Sequence, residues 1–178
     1  MGVYHDLEHD ALEEMKRNAH TGTDYSKLLT AIILCQGAGF VGSLATFTSI
    51  NTWYRALVKP PFNPPNWIFG PVWTVLYVLM GIALYLVWEK GLGKSRVRTA
   101  FWLFVLHLSV NFGWSVVFFG MHSIFGGFVG ALVLWAYIVA LLWKFYEIRP
   151  LAAYLLVPYL LWTSFAVVLN TSIWLLNR

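Results

Sequence analysis

Two asparagines stand inside apolar segments of this 178-residue chain, and each keeps aromatic company at helical spacing. Asn111, Trp114, Ser115 and Phe118 fall at i, i+3, i+4 and i+7, one face of a helix. Trp162, Phe165, Ala166, Leu169 and Asn170 share a second face, and Trp73, Tyr77, Gly81 and Leu84 a third. An amide surrounded by hydrocarbon needs partners, so both Asn residues should face inward, either as glue between helices or as the lining of a cavity. Gln36 and His107 are the next polar candidates. Flat aromatic walls with a few amide handles suit a large, planar, mostly apolar ligand, and porphyrins and sterols are of that kind. The chain holds ten tryptophans. Trp88 and Trp174 lie at segment ends, where an interfacial belt accounts for them; Trp73, Trp114 and Trp162 lie deeper and need another reason.

Other chemistries lack their residues. No phosphate loop, serine triad or zinc-spaced His/Cys set is present, and no pair of histidines is placed to ligate haem iron across helices. No cofactor, metal or nucleic-acid partner is therefore expected. His5 and His9 are spaced i, i+4 but sit in a polar tail, and the single Cys35 reads as a small buried apolar residue.

The elements that must carry these faces are set by composition. Hydrophobic residues make up 59% and charged residues 11%, less than half the roughly 25% of a soluble domain. Lipid must be the solvent for most side chains. Five apolar runs, Leu28–Ile50, Pro71–Trp88, Thr99–Phe119, Ile124–Phe145 and Leu151–Leu176, are each long enough to cross a bilayer core. They are continuous rather than alternating, so they read as helices and not barrel strands. The fold class expected is an all-α five-helix membrane bundle, antiparallel between sequence neighbours, with Pro158 kinking the last helix. No Asp, Glu, Lys or Arg lies well inside a run, which argues against a pump or proton-coupled transporter. Residues 1–27 form a polar tail holding six of the eight acids, apart from a membrane domain over 28–178. Leu7, Ala11 and Met15 share a face there, and Gly2 is followed by Asp6 where a myristoylation motif needs Ser or Thr. Nine of twelve basic residues fall on the side of the tail. In a bacterial-type plasma membrane that puts the N-terminus in the cytoplasm; an organelle's outer membrane need not follow the rule, so the membrane itself stays open.

Two features remain. Small residues recur at Ala38/Gly42 and Gly126/Gly130, a spacing that lets helices approach closely, inside the bundle or across a dimer. Between the first two runs, the strap "KPPFNPPNWIFGPVW" (59–73) holds Pro60, Pro61, Pro64, Pro65 and Pro71. Such a segment is extended and stiff, which suits a cover over the bundle mouth better than a linker. Pro71 fits the first turn of the second helix, where no donor is needed.

The segment Trp53–Trp88, with its K-P-x-x-x-P-P-x-W-x-F-x-P-V-W block, resembles the TspO/MBR family, the translocator proteins also known as peripheral-type benzodiazepine receptors. "GFVGS" (39–43), "NFGWSVVFFG" (111–120) and "PYLLWTSFAVVLN" (158–170) extend the resemblance from about residue 37 to 176. It implies a five-helix bundle, commonly a homodimer, with a pocket beneath the loop between the first two helices. Family ligands include protoporphyrin-type tetrapyrroles, cholesterol, and isoquinoline and benzodiazepine drugs. Matched by motif, the implied ligand-binding residues are Ser43 and Thr46, Trp73 and Tyr77, Asn111 and Trp114, and Trp162, Phe165, Ala166, Leu169 and Asn170. The resemblance implies a membrane receptor or sensor for tetrapyrroles, whose propionates would meet Arg55 or Lys59. One alternative is an enzyme that degrades porphyrin in light, with Trp73 and Trp162 as its catalytic residues. A second is a porphyrin or sterol transporter, though no repeated halves are evident. The chain departs from the family at Phe62, where Trp is frequent, and after Leu169–Asn170, where the animal cholesterol pattern's Tyr is missing from "LNTSIWLLNR".

Overall fold

The computed structural model describes residues 23–178. The readings made on His5, His9, Gly2 and the Leu7/Ala11/Met15 face lie outside the described residues. Five long helices, α1 (Tyr25–Ser49), α2 (Phe69–Trp88), α3 (Ser95–Ser115), α4 (Ile124–Tyr146) and α5 (Pro150–Leu176), account for the five apolar runs. Each is long and apolar enough to cross a bilayer, and large apolar side chains such as Ile33, Phe47, Trp102 and Leu161 cover the outside. The protein is a multi-pass integral membrane protein.

Local chemistry sets the helix ends. α1 starts three residues before the apolar run because Asp24 caps it, accepting from the Lys27 amide at 3.2 Å. The Lys27 side chain, with Ser26 behind it, holds the Asp24 carboxyl well below the usual carboxylate range. Gly91, at φ 92°, turns the chain after α2 where a side chain would be strained. Ser123 caps α4 through the Gly126 amide, and Pro150 opens α5. α5 continues through Pro158 to Leu176. α3 ends in a π turn, Val116–Gly120, whose extra residue lets Phe118 and Phe119 both turn inward.

Helix order around the bundle differs from the simple expectation. α1 packs on α2 and α3, α2 on α1 and α5, and α4 on α3 and α5, while α2 and α3 touch only lightly. Sequence neighbours adjoin at α1/α2, α3/α4 and α4/α5. The α2–α3 connection instead crosses the bundle, so that α5 can close against α2 and bring its aromatic face to theirs.

The two ends of the molecule are built differently. Towards the α2–α3 and α4–α5 connections the bundle is solid. Met80, Leu84, Phe104, Ile138, Leu141, Phe145 and Leu156 are fully buried there, and Arg149 pairs with Glu89 across the two connections. At the strap end a smaller group, Tyr54, Phe118, Phe119, Leu169 and Ile173, leaves space between helices.

The small residues of α4 work inside the chain. A Cβ on Gly127 would come within 2.2 Å of the Phe118 ring, and one on Gly130 within 3.0 Å of Trp114. On α1, Gly39 faces the Tyr77 ring, while a Cβ on Gly37 would meet nothing.

Candidate functional site: an aromatic cavity beneath the strap

The space at the strap end is a cavity of about 790 Å³ enclosed by α1, α2, α3, α5 and the strap. α4 stays behind and supports it. Trp114 Nε1 donates to Gly127 O at 2.9 Å, fixing the indole on the α4 backbone, and Trp135 Nε1 reaches Ser164 Oγ on α5 at 2.8 Å.

Aromatic rings build the walls. On α2, Trp73 lies against Tyr77 (centroids 5.5 Å apart) and edge-on to Tyr159 of α5 (5.9 Å). On α5, Trp162 contacts Phe165 (5.6 Å) and Phe69 at the start of α2 (5.9 Å). Trp114 and Phe118 stack nearly parallel at 5.6 Å on α3. Among the described residues that line the cavity there is no Asp, Glu, Lys, Arg or His.

Polar contacts gather at the floor. Tyr77 Oη donates to Asn111 Oδ1 at 2.6 Å, and Asn111 Nδ2 donates to Tyr159 Oη at 2.8 Å. Tyr159 Oη pairs with His107 Nε2 at 2.9 Å. This chain of four buried groups runs from the cavity into the core and ties α2, α3 and α5 together. Asn111 therefore both lines the cavity and joins helices, so the two readings of that residue coexist. Asn170 differs. Its Nδ2 donates to Ala166 O at 2.8 Å, and its Oδ1 is buried without a hydrogen-bond partner, on the side of Gly127 of α4.

The strap forms the roof. Tyr54 Oη donates to Asn63 Oδ1 at 2.6 Å, and Asn66 Nδ2 reaches Ile50 O at 3.4 Å. Phe62 meets Phe165 at 6.3 Å. Asn177, just past α5, pairs both ways with the Val58 backbone: Val58 N donates to Oδ1 at 3.0 Å and Nδ2 donates to Val58 O at 2.8 Å. Burial pushes the Tyr54 phenol up to about 12, so it remains a donor at physiological pH.

All eleven residues singled out in the sequence line this cavity: Ser43, Thr46, Trp73, Tyr77, Asn111, Trp114, Trp162, Phe165, Ala166, Leu169 and Asn170. Gln36, Ser115 and Phe118 join them, whereas Gly81 and Leu84 continue the α2 stripe into the core, Gly81 against Ile32. Arg55 and Lys59 do not line it. The Lys59 ammonium is engaged by the carbonyls of Tyr54, Arg55 and Leu57 at 2.8–3.1 Å, capping the helical turn Trp53–Ala56, so it is not free for a propionate. Sequence reasoning missed Tyr159, three residues before Trp162 and on its face, and Phe119, which only the π turn brings in.

Comparison with known proteins agrees with this architecture. The model of the TspO/MBR family matches residues 31–175. A tryptophan-rich protein TspO of Chlorobaculum tepidum is 45% identical over 150 residues, covering 84% of this chain and 95% of its own length. The human translocator protein is 38% identical over 136 residues (76% and 80%), and a tryptophan-rich sensory protein of Cereibacter sphaeroides 34% over 155 (86% and 93%). With the motifs, the five spans and the match along most of its length in agreement, the chain belongs to the TspO/MBR family.

Proposed function

We propose that the protein is a membrane receptor or sensor that binds a protoporphyrin-type tetrapyrrole in the cavity beneath the strap. One observation carries the reading. The space is about 790 Å³, within the ordinary range for ligand pockets, and Trp73, Trp114 and Trp162 wall it without a charged side chain. Burial of the flat macrocycle supplies most of the affinity, at roughly 25 cal/mol per Å² before the costs of association. Indole and phenyl faces stack on the ring, while the amides of Asn111 and Asn170 orient its polar edge. The same walls accept other flat hydrophobic molecules, sterols and isoquinoline or benzodiazepine compounds among them. The active form we propose is a homodimer. Gly126, Gly127 and Gly130 are occupied within the chain, so its contact lies on another face.

The test is a protoporphyrin IX titration of the full chain in nanodiscs, followed by absorbance in the dark. Saturable binding that weakens in Trp73→Phe and Trp162→Phe supports the reading. Binding indifferent to both substitutions refutes the site.

A second reading, degradation of the porphyrin in light, is favoured by the presence of both Trp73 and Trp162 on the cavity wall. An indole in contact with a photoexcited macrocycle is positioned to give it an electron. Illumination of the same titration separates the two. Product formation abolished in Trp162→Phe, with dark binding retained, would identify the protein as an enzyme.

A further inference from the structure

The cavity wall is not equally closed on all sides. On α3 and α5 its lining residues are buried or half-buried. Exposed lining residues fall along one seam: Phe40, Phe47 and Asn51 at the α1 edge, and Trp67, Gly70 and Thr74 at the α2 edge. Phe47 is 71% exposed and Trp67 72%, although both border the cavity. A Cβ built on Gly70 would meet nothing within 4 Å, so space rather than a neighbouring helix lies beside it.

The seam is a gap in an otherwise tight helix pair. At its deep end, Gln36 Nε2 donates to Thr74 O at 3.0 Å and Gly39 sits on the Tyr77 ring. Deeper still, a Cβ on Gly81 would lie 2.7 Å from the Ile32 Cα, so the backbones touch. From that crossing α1 and α2 diverge towards the strap. The strap above is fastened by Tyr54–Asn63, Asn66–Ile50 and the two-way Asn177–Val58 pairing. The two apparent doors differ in kind. Opening the roof means breaking a set of hydrogen bonds, whereas passing the seam means displacing only lipid and exposed aromatic side chains.

We propose that the cavity exchanges its ligand sideways with the bilayer, through a window between α1 and α2 in the strap-side leaflet, and that the strap is a roof rather than the door. The ligand class this fits is a flat hydrophobic molecule already dissolved in lipid, entering edge-on between Phe47 and Gly70. The inference rests on the reading that the cavity binds such a molecule. It adds the path and the phase from which the ligand comes.

Stopped-flow tryptophan quenching tests it, with protoporphyrin IX as the probe and the full chain in phosphatidylcholine nanodiscs in the dark. Gly70→Phe fills the window from the α2 edge. Association and dissociation rates should then fall together by about tenfold, the signature of a raised barrier rather than a damaged site. Damage to the site would slow association and speed dissociation. Thr74→Phe, one turn along the same edge, gives the same result if Gly70→Phe does not fold. Asn177→Ala, which unfastens the roof, should leave both rates within about twofold of the unmodified chain. The window is overturned if dissociation is unchanged or faster in both seam variants, or if Asn177→Ala raises both rates. An unmodified chain that shows no saturable quenching overturns the binding reading itself, and the window with it.

Discussion

Trp73 and Trp162 approach the cavity from different helices and contact different partners, Tyr77 and Tyr159 for the first, Phe69 and Phe165 for the second. Replacing either by Phe keeps an aromatic face but shrinks it. Each change should weaken porphyrin binding by about 3- to 10-fold, in line with roughly 0.5–1.5 kcal/mol for an aromatic contact beyond its area; a dark titration reads this directly. The floor network makes a sharper prediction, because its members are unequal. Tyr159 Oη joins Asn111 to His107, so Tyr159→Phe strands two buried polar groups and should cost about 1–3 kcal/mol in thermal unfolding in detergent. Tyr77→Phe strands only Asn111 Oδ1, at the cavity surface, and should cost less. If the two variants unfold alike, the chain of bonds is not a structural unit. The cavity-facing residues were legible because an amide inside an apolar run must face inward and helical spacing then names its companions. Tyr159 was not, since a tyrosine in an apolar run reads as packing until its hydroxyl's partners, 48 and 52 residues away, are seen.

At the scale of elements, the α1/α2 crossing carries the site, because it holds Tyr77 against Asn111 and opens the seam above. Gly81→Ala puts a methyl into the Ile32 backbone, which cannot yield without separating the helices. A loss of about 1–3 kcal/mol is expected from such overpacking. Gly39→Ala instead displaces the Tyr77 ring and should weaken ligand binding as well as stability. Gly37→Ala, two residues away and facing open space, should be neutral or slightly stabilising, since alanine is the better helix former by about 1 kcal/mol. Melting temperatures of the three variants check the order. The existence of five helices followed from length and hydropathy alone, and their ends fell within a few residues of the apolar runs. Two features were hidden. The π turn at Val116–Gly120 leaves no pattern in an apolar run, because every residue there is hydrophobic whichever way it turns. Helix order was equally invisible, since the six residues between α2 and α3 allow adjacency or a crossing, and the choice rests on packing faces far apart in sequence.

Across the whole molecule, solidity at one end and space at the other divide stability from binding. The basic residues of the α2–α3 and α4–α5 connections, with the Arg149–Glu89 pair, mark the solid end. The strap and the C-terminus close the hollow one. Proline content announced the strap's stiffness, but stiffness alone does not hold a cover in place. The fastening comes from Asn177 at the far end of the chain, and nothing local to the strap reveals it. Because Asn177 satisfies both polar groups of Val58, its loss should free that amide without touching the cavity wall. Net contributions of about 0.5–1.5 kcal/mol per hydrogen bond put the gain in Val58 exchange for Asn177→Ala between a few-fold and roughly a hundredfold. Amides of α2, buried deeper, should not change. A second lever is pH. The Tyr54 phenol is raised to about 12 by burial, so its protonated form is the one the folded strap favours. That contribution is complete below the ordinary tyrosine value of about 10 and is lost as pH climbs towards 12. Exchange at Asn63, whose side chain accepts from Tyr54, should therefore show no fastening-dependent change between pH 6 and 9 once corrected for intrinsic rate, in the same samples where Asn177→Ala accelerates Val58. Uniform acceleration of both sites in Asn177→Ala would mean that the strap opens as one piece from its C-terminal latch; acceleration confined to Val58 would mean that Tyr54 and Asn63 hold the inner half of the roof on their own.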